Sequence, residues 1–158
     1  MGRDVLRVRR KFGRIEKRRS AMTECVFCRI LAGELPAHYA YHDDQVVAFL
    51  SLEQPTPYKV LVLPWDHIEM IYDLSDDLAA AIFQATVRVA RAVREVSNCE
   101  GLNLVQSNGE VGQQDVFHFH LHIVPRFRAD EIVLGWDNTP APTALLERYA
   151  QEINDHLG

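Results

Sequence analysis

The stretch FHFHLHIVP, from Phe117 to Pro125, places three histidines at alternate positions. Successive side chains of a β-strand point to opposite faces, so this spacing sets His118, His120 and His122 on one face and the intervening apolar side chains on the other. A solvent-facing strand with three histidines by chance is the weaker interpretation, because histidine is uncommon and the opposite face is consistently apolar. The stretch therefore predicts a strand whose histidine face has a chemical function.

Two chemical roles fit such a face. Neutral imidazoles can hold zinc, either with an open catalytic position or in a closed structural site. Alternatively, one ring nitrogen attacks a substrate while the other nitrogen of the same ring is tethered, which fixes the tautomer. The two roles can share one strand, and the histidines alone leave both open.

Length and cysteine content narrow the class of protein. A chain of 158 residues with 47% apolar and 25% charged residues is typical of a single soluble globular domain. We find no apolar run of about 18 residues and no secretory signal pattern, so we expect a cytoplasmic protein without a membrane span. Cys25 and Cys28 lie close together in CVFC, whereas Cys99 stands apart. Such a pair in a reducing compartment indicates a metal or redox site, not a disulfide framework.

Charge divides the chain unevenly. Residues 1–19 carry nine Lys or Arg and two acidic residues, a net charge of +7, which leaves −12 for the remainder of a chain whose total is −5. A basic arm can bind nucleic acid, but few apolar residues are present to dock it, so we interpret residues 1–21 as a flexible extension without a nucleic-acid role. Residues 22–158 then form one domain, with a C-terminal tail from about residue 129.

Apolar patterning predicts five strands and two longer helices. The strands are expected at His38 to Tyr41, Gln45 to Leu52, Lys59 to Pro64, Gly101 to Gln106 and the histidine stretch. Apolar residues recur at helical spacing from Ser75 to Val96, with Asp76 and Asp77 favourably placed at the helix N-terminus. A final helix is expected from Thr143 to His156. This order favours an α+β fold with an antiparallel sheet over a doubly wound one.

The stretch from His118 to Val124 resembles the signature of the histidine triad (HIT) superfamily. The motifs CVFCRILAGELPA, VVAFL, VLVLPWDH and NLVQSNGE occur in the order typical of its bacterial nucleotide hydrolases and transferases, from about Cys25 to Arg126. The resemblance implies a HIT-like fold, a nucleotide as small-molecule substrate and a homodimer.

The resemblance also implies a covalent mechanism. His120, the middle histidine, would attack the α-phosphorus of a nucleoside phosphoramidate, dinucleoside polyphosphate or related ester, giving a nucleotidyl-histidine. His122 would hydrogen-bond the phosphoryl oxygens. Gln114 and Asn108 would be accessory substrate contacts, although loop stabilisation through backbone hydrogen bonds is an equal alternative for both amides.

In the same family, a CxxC pair, a histidine and the first triad histidine can hold a structural zinc. The matching residues here are Cys25, Cys28, His67 and His118. Two thiolates and two imidazoles suit tetrahedral zinc, and the alternative is a reduced, buried cysteine pair beside a core histidine.

The sequence departs from the family pattern in three places. Ser51 stands where an aspartate commonly binds the ribose, and Tyr58-Lys59 replaces a glycine-histidine pair. Lys59 could pair with a polyphosphate or be solvated. Asp115 replaces a serine or threonine near the leaving group, where a carboxylate could protonate a leaving amine or, if ionised, repel phosphate. Ser51 and Asp115 keep open one rival function, a non-catalytic nucleotide- or phosphate-binding module. A second rival is a metal-dependent hydrolase that uses all three triad histidines as ligands.

Overall fold

The computed structural model describes residues 25–135 and 138–157, so the basic arm at residues 1–21 lies outside the described part. The elements are α1 (Val26–Leu31), β1 (Tyr39–His42), β2 (Val46–Leu50), β3 (Val60–Pro64), a 3-10 helix (Ile71–Asp73), α2 (Asp76–Ser97), β4 (Gly101–Gln106), β5 (Leu121–Arg126) and α3 (Thr143–Leu157). Within these residues, no helix combines the length and apolarity needed to cross a bilayer.

All five strands form one antiparallel sheet in the order β1-β2-β3-β5-β4. This confirms the α+β class that the sequence predicts. The central strands β2 and β3 are buried on both faces, which explains why VVAFL and VLVLP are continuously apolar instead of alternating.

Helix α2 covers one face of the sheet. It begins after Ser75, whose hydroxyl accepts a hydrogen bond from the Leu78 N–H, and it ends at Asn98 in the left-handed conformation. Its buried residues Ile82 and Val89 belong to a core cluster that includes Ile123 of β5. On the opposite face, short helix α1 packs Phe27 and neighbouring apolar residues against β2 and β3 in a second cluster. The sheet therefore separates two hydrophobic cores, and the histidines lie on the face that packs against α1.

Strand β5 begins at Leu121, four residues later than the sequence indicates. The Phe119 N–H donates to the carbonyl of Ile68, which lies outside the sheet, and β3 ends at Pro64, which has no N–H to continue the ladder. The expected alternation nevertheless holds. Phe119 and Leu121 lie in the α2 core, while the rings of His118 and His120 contact Phe27 on the other face.

Candidate active site and metal centre

His120 presents one ring nitrogen for reaction. Its ring is 3% exposed, and Nδ1 lies 2.7 Å from the carbonyl oxygen of His118. A carbonyl oxygen only accepts, so Nδ1 carries a proton, and in the neutral ring Nε2 is the nitrogen that has the lone pair. Nε2 lies 3.3 Å from Oδ1 of Asp115. The local fold thereby fixes the tautomer that a nucleophilic imidazole requires.

His122 is the next imidazole on this face, with its ring centroid 4.8 Å from that of His120. Burial is the largest cause that lowers the pKa of His122, the proximity of His120 and Lys59 also lowers it, and Asp115 opposes the shift; the resulting pKa is about 4. Its Nδ1 is buried and has no hydrogen-bond partner among the described residues. A neutral ring with an unsatisfied nitrogen is ready to bind a polar ligand group.

Gln114 uses both ends of its amide inside the protein. Its Nε2 donates to the carbonyls of Glu69 and Val116 at 2.7 and 3.1 Å, and its Oε1 accepts from the Gly109 N–H at 2.8 Å. Gly109 has a φ of +72°, a conformation that favours glycine. The buried amide thus holds the loop between β4 and β5 in shape, which is one of the two roles considered for it.

Asn108 ties the same loop to the segment after β3. Its Oδ1 accepts from the Ile71 N–H at 2.8 Å, and its Nδ2 donates to Oε1 of Gln106. A Cβ added at Gly112 would overlap the Asn108 carbonyl oxygen, so the turn of this loop is closely packed. Both amides predicted from the sequence therefore shape the loop that carries Asp115.

The loop between β2 and β3 brings Ser51 and Lys59 together. The Ser51 N–H donates to the Lys59 carbonyl at 3.1 Å, and Nε2 of Gln54 donates to the carbonyls of both residues at 2.8 Å. Buried Thr56 fastens this loop to β5 through a 2.7 Å hydrogen bond from its hydroxyl to the Pro125 carbonyl. These hydrogen bonds hold the loop in place at the His122 end of the site.

The four predicted metal ligands come together. The ligand atoms of Cys25, Cys28, His67 and His118 all lie within 4.8 Å of one another. Nδ1 of His118 is 3.7 Å from the Cys25 sulfur and 3.6 Å from the Cys28 sulfur, and Nδ1 of His67 is 3.2 Å from the Cys28 sulfur. A tetrahedral ion with metal–sulfur bonds of about 2.3 Å and metal–nitrogen bonds of about 2.0 Å separates sulfur from nitrogen by about 3.5 Å. The spacing suits such an ion.

The protonation pattern of this cluster also suits a cation. Nε2 of His118 donates to the Pro64 carbonyl at 3.1 Å, so Nδ1 is the nitrogen free to bind a metal. The hydrogen bond from Cys28 strongly lowers the pKa of Cys25, and His118 lowers it further. That hydrogen bond, together with burial, raises the pKa of Cys28. A divalent cation would offset the repulsion between two thiolates.

Several residues of the site escaped the sequence analysis. Phe27, between the two cysteines, places its ring edge-on against His118 and His120 at centroid distances of 5.9 and 5.0 Å. Glu69 supplies a backbone acceptor to Gln114, and its carboxylate lies 3.7 Å from Nε2 of His67. Gln54 closes the β2–β3 loop. Of these three residues, only Phe27 could have been predicted from the sequence, because it lies between the two cysteines of CVFC and its position therefore follows from theirs.

Comparisons with known proteins agree with this fold. A crystal structure of a HIT family member from Bacillus subtilis superposes with a TM-score of 0.82 at 37% identity, covering 85% of this chain and 98% of that one. A zinc-bound histidine triad family protein from Mycobacterium smegmatis gives a TM-score of 0.67 at 31% identity over 87% of this chain and 99% of that one.

A relative from Schizosaccharomyces pombe bears the name adenosine 5′-monophosphoramidase. It is 28% identical over 134 residues, which is 84% of this chain and 98% of the relative. The model of the HIT domain matches residues 32–129, more than half of the sequence. This protein belongs to the HIT family.

Proposed function

We propose that this protein is a nucleotide hydrolase or nucleotidyltransferase that acts at the α-phosphorus of nucleoside phosphoramidates, dinucleoside polyphosphates or related nucleotide esters. The observation that carries the proposal is the tethered His120 ring, whose Nδ1 donates to the His118 carbonyl and whose Nε2 lies 3.3 Å from the exposed Asp115 side chain. The name of the S. pombe relative supports an activity of this class.

The reaction would proceed in two displacements. The Nε2 lone pair of His120 forms a bond to phosphorus, and the leaving group departs with the electron pair of its own bond to phosphorus, taking one proton from solvent if it is an amine. A water molecule then forms the new P–O bond and releases one proton to solvent as the N–P bond breaks, and the N–P electron pair returns to Nε2, which gives a nucleoside monophosphate and restores the imidazole. One difficult displacement is replaced by two easier ones.

His122 would act as hydrogen-bond donor to the phosphoryl oxygens. Its ring is neutral at pH 7 because its pKa is low, and Nδ1 is buried and lacks a partner among the described residues. With its proton on Nδ1, the ring would donate to a phosphoryl oxygen, which would satisfy this buried nitrogen. Such a contact strengthens as negative charge develops on the oxygens in the transition state.

The remaining substrate contacts would come from two loops. Ser51 and Lys59 would face the nucleotide from the β2–β3 loop, with the Lys59 charge near the phosphates. Asp115 would lie beside the reacting phosphorus. Gln114 and Asn108 would act through the shape of the loop, because the Gln114 amide already bonds to backbone groups and the Asn108 amide bonds to the Ile71 N–H and to the Gln106 side chain.

We propose zinc as the ion held by Cys25, Cys28, His67 and His118. All four ligand positions would be filled by protein, which makes the site structural and leaves no open position for substrate. When bound, the ion would fix α1 to the start of the histidine stretch. Within the described residues the candidate metal cluster includes His118 but neither His120 nor His122, so a hydrolase with three triad ligands is not favoured.

Intact-protein mass spectrometry tests the proposal. Wild type and His120→Ala are mixed briefly with adenosine 5′-phosphoramidate or a dinucleoside polyphosphate. We expect a transient adduct of nucleotide mass in wild type and none in the variant. Binding without an adduct or turnover in wild type would instead support a nucleotide-binding module.

A further inference from the structure

One negative charge stands directly beside the nucleophile. Oδ1 of Asp115 lies 3.3 Å from Nε2 of His120, and the Asp115 side chain is 73% exposed on its other side. The Val116 N–H donates to the same Oδ1 at 2.9 Å. The backbone therefore holds this carboxylate oxygen toward the reacting nitrogen.

The contact between Asp115 and His120 sets an upper limit on the distance between the Asp115 carboxylate and the phosphorus atom of a bound substrate. A phosphorus atom poised for attack lies about 3–3.5 Å from Nε2, so Oδ1 is at most about 7 Å from it in this geometry. The leaving-group atom is bonded to that phosphorus and lies within about 9 Å, close to the screening length of about 8 Å at physiological ionic strength. The carboxylate thus acts on the charge of the leaving group with only partial screening by salt.

We propose that Asp115 is a specificity-determining residue that selects substrates whose leaving group is an amine over those whose leaving group is a phosphate chain. This inference rests on the proposed function and names the substrate class of the same site. An amine leaves as a neutral or cationic group, which the carboxylate tolerates or attracts. A polyphosphate leaving group carries several negative charges, which the carboxylate repels in the bound substrate and during departure.

The positive charge of Lys59 does not reverse this selection. In the β3–β5 register Leu61 lies opposite His122 and Val60 opposite Ile123, so Lys59 follows on the side of His122 that is away from His120. Lys59 lowers the pKa of His122, after burial and His120. Opposite charges therefore flank the two histidines, with the negative one next to the bond that forms.

The test compares Asp115→Asn with the wild type on two probes, adenosine 5′-phosphoramidate and diadenosine tetraphosphate. Asparagine keeps the oxygen that accepts from Val116 and removes the charge. Glu110→Gln removes the same charge from an exposed position of the same loop and serves as the matched control. Asp115→Glu keeps the negative charge and lengthens the side chain, so it tests whether side-chain shape affects the ratio of the two activities.

We expect Asp115→Asn to raise kcat/KM for the tetraphosphate relative to the phosphoramidate by about tenfold at low salt, and by less at high salt because screening weakens charge effects. The two control variants should keep the wild-type ratio within about twofold. An unchanged ratio in Asp115→Asn, or a changed ratio with no dependence on salt, would overturn the inference.

A binding measurement separates this inference from the proposed function. In a His120→Ala background, which cannot form the adduct, calorimetry should show tighter tetraphosphate binding when Asp115→Asn is added, with little change for the phosphoramidate. Absence of an adduct in wild type together with this binding shift would reject the catalytic proposal and keep the charge selection. Equal affinities with and without Asp115→Asn would reject the selection even if wild type cleaves both probes.

Discussion

The low pKa of His122 predicts that this residue makes folding stability depend on pH. Burial, His120 and Lys59 lower the pKa from 6.5 to about 4 in the folded protein. Between these values the unfolded chain takes up a proton that the folded ring does not, so the free energy of unfolding falls as the pH drops from about 6.5 to about 4. The full linkage value is ~3 kcal/mol. Solvent reaches part of the ring, which reduces the expected loss to about 1–2 kcal/mol.

The measurement is urea unfolding of wild type and His122→Gln at pH 7.0 and pH 4.5. Glutamine does not titrate, so the difference between the two pH values should be smaller in the variant by about 1–2 kcal/mol. Titrating groups that are distant from His122 contribute equally to both proteins and cancel in the comparison, whereas the interactions of His122 with its neighbours His120 and Asp115 are part of the measured difference. An identical pH dependence in the two proteins would refute the assignment of a buried, neutral His122.

Other predictions concern the backbone, the loop and the metal. Tyr58 has a φ of +67°, so Tyr58→Gly should raise the free energy of unfolding by about 0.5–1 kcal/mol whereas Tyr58→Val should lower it, as measured by urea denaturation. Gln114→Ala should destabilise by about 2–4 kcal/mol because it leaves three backbone groups without their partner, while the exposed Gln113→Ala should have little effect on the same unfolding curve. Metal analysis should find about one zinc per chain in wild type and far less in Cys25→Ser, and chelation should lower the melting temperature before it lowers activity. Equal zinc contents would contradict the metal site.

The sequence predicted the regular elements well where a local pattern determines them. The bounds of β4 agree with the structure, and α2 differs by one residue at each end because the Ser75 cap and the apolar period are both visible in the chain. The start of β5 was placed too early. Alternation alone cannot distinguish a paired strand from an extended segment whose N–H groups bond to a loop, as Phe119 does with Ile68.

The site was predictable to the level of residue types but not of their partners. The four metal ligands were placed through family resemblance, and the structure brings their ligand atoms together. The partners of Gln114 lie in three separate segments, and no periodicity in the sequence indicates which backbone groups a buried amide will satisfy. The flexible arm, the homodimer and the cytoplasmic location stay predictions.

The segment that follows His67 is joined to the loop before β5 at three successive points. The Ile68 carbonyl accepts from Phe119, the Glu69 carbonyl accepts from Gln114, and the Ile71 N–H donates to Asn108. Neither segment can open without breaking hydrogen bonds of the other, so the two should exchange their amide protons as one cooperative unit. Hydrogen exchange should therefore slow in both segments when zinc is added, including at amides that lie well away from the ion. The metal would then determine how long the loop that carries Asp115 keeps these hydrogen bonds, although the ion itself does not touch the substrate.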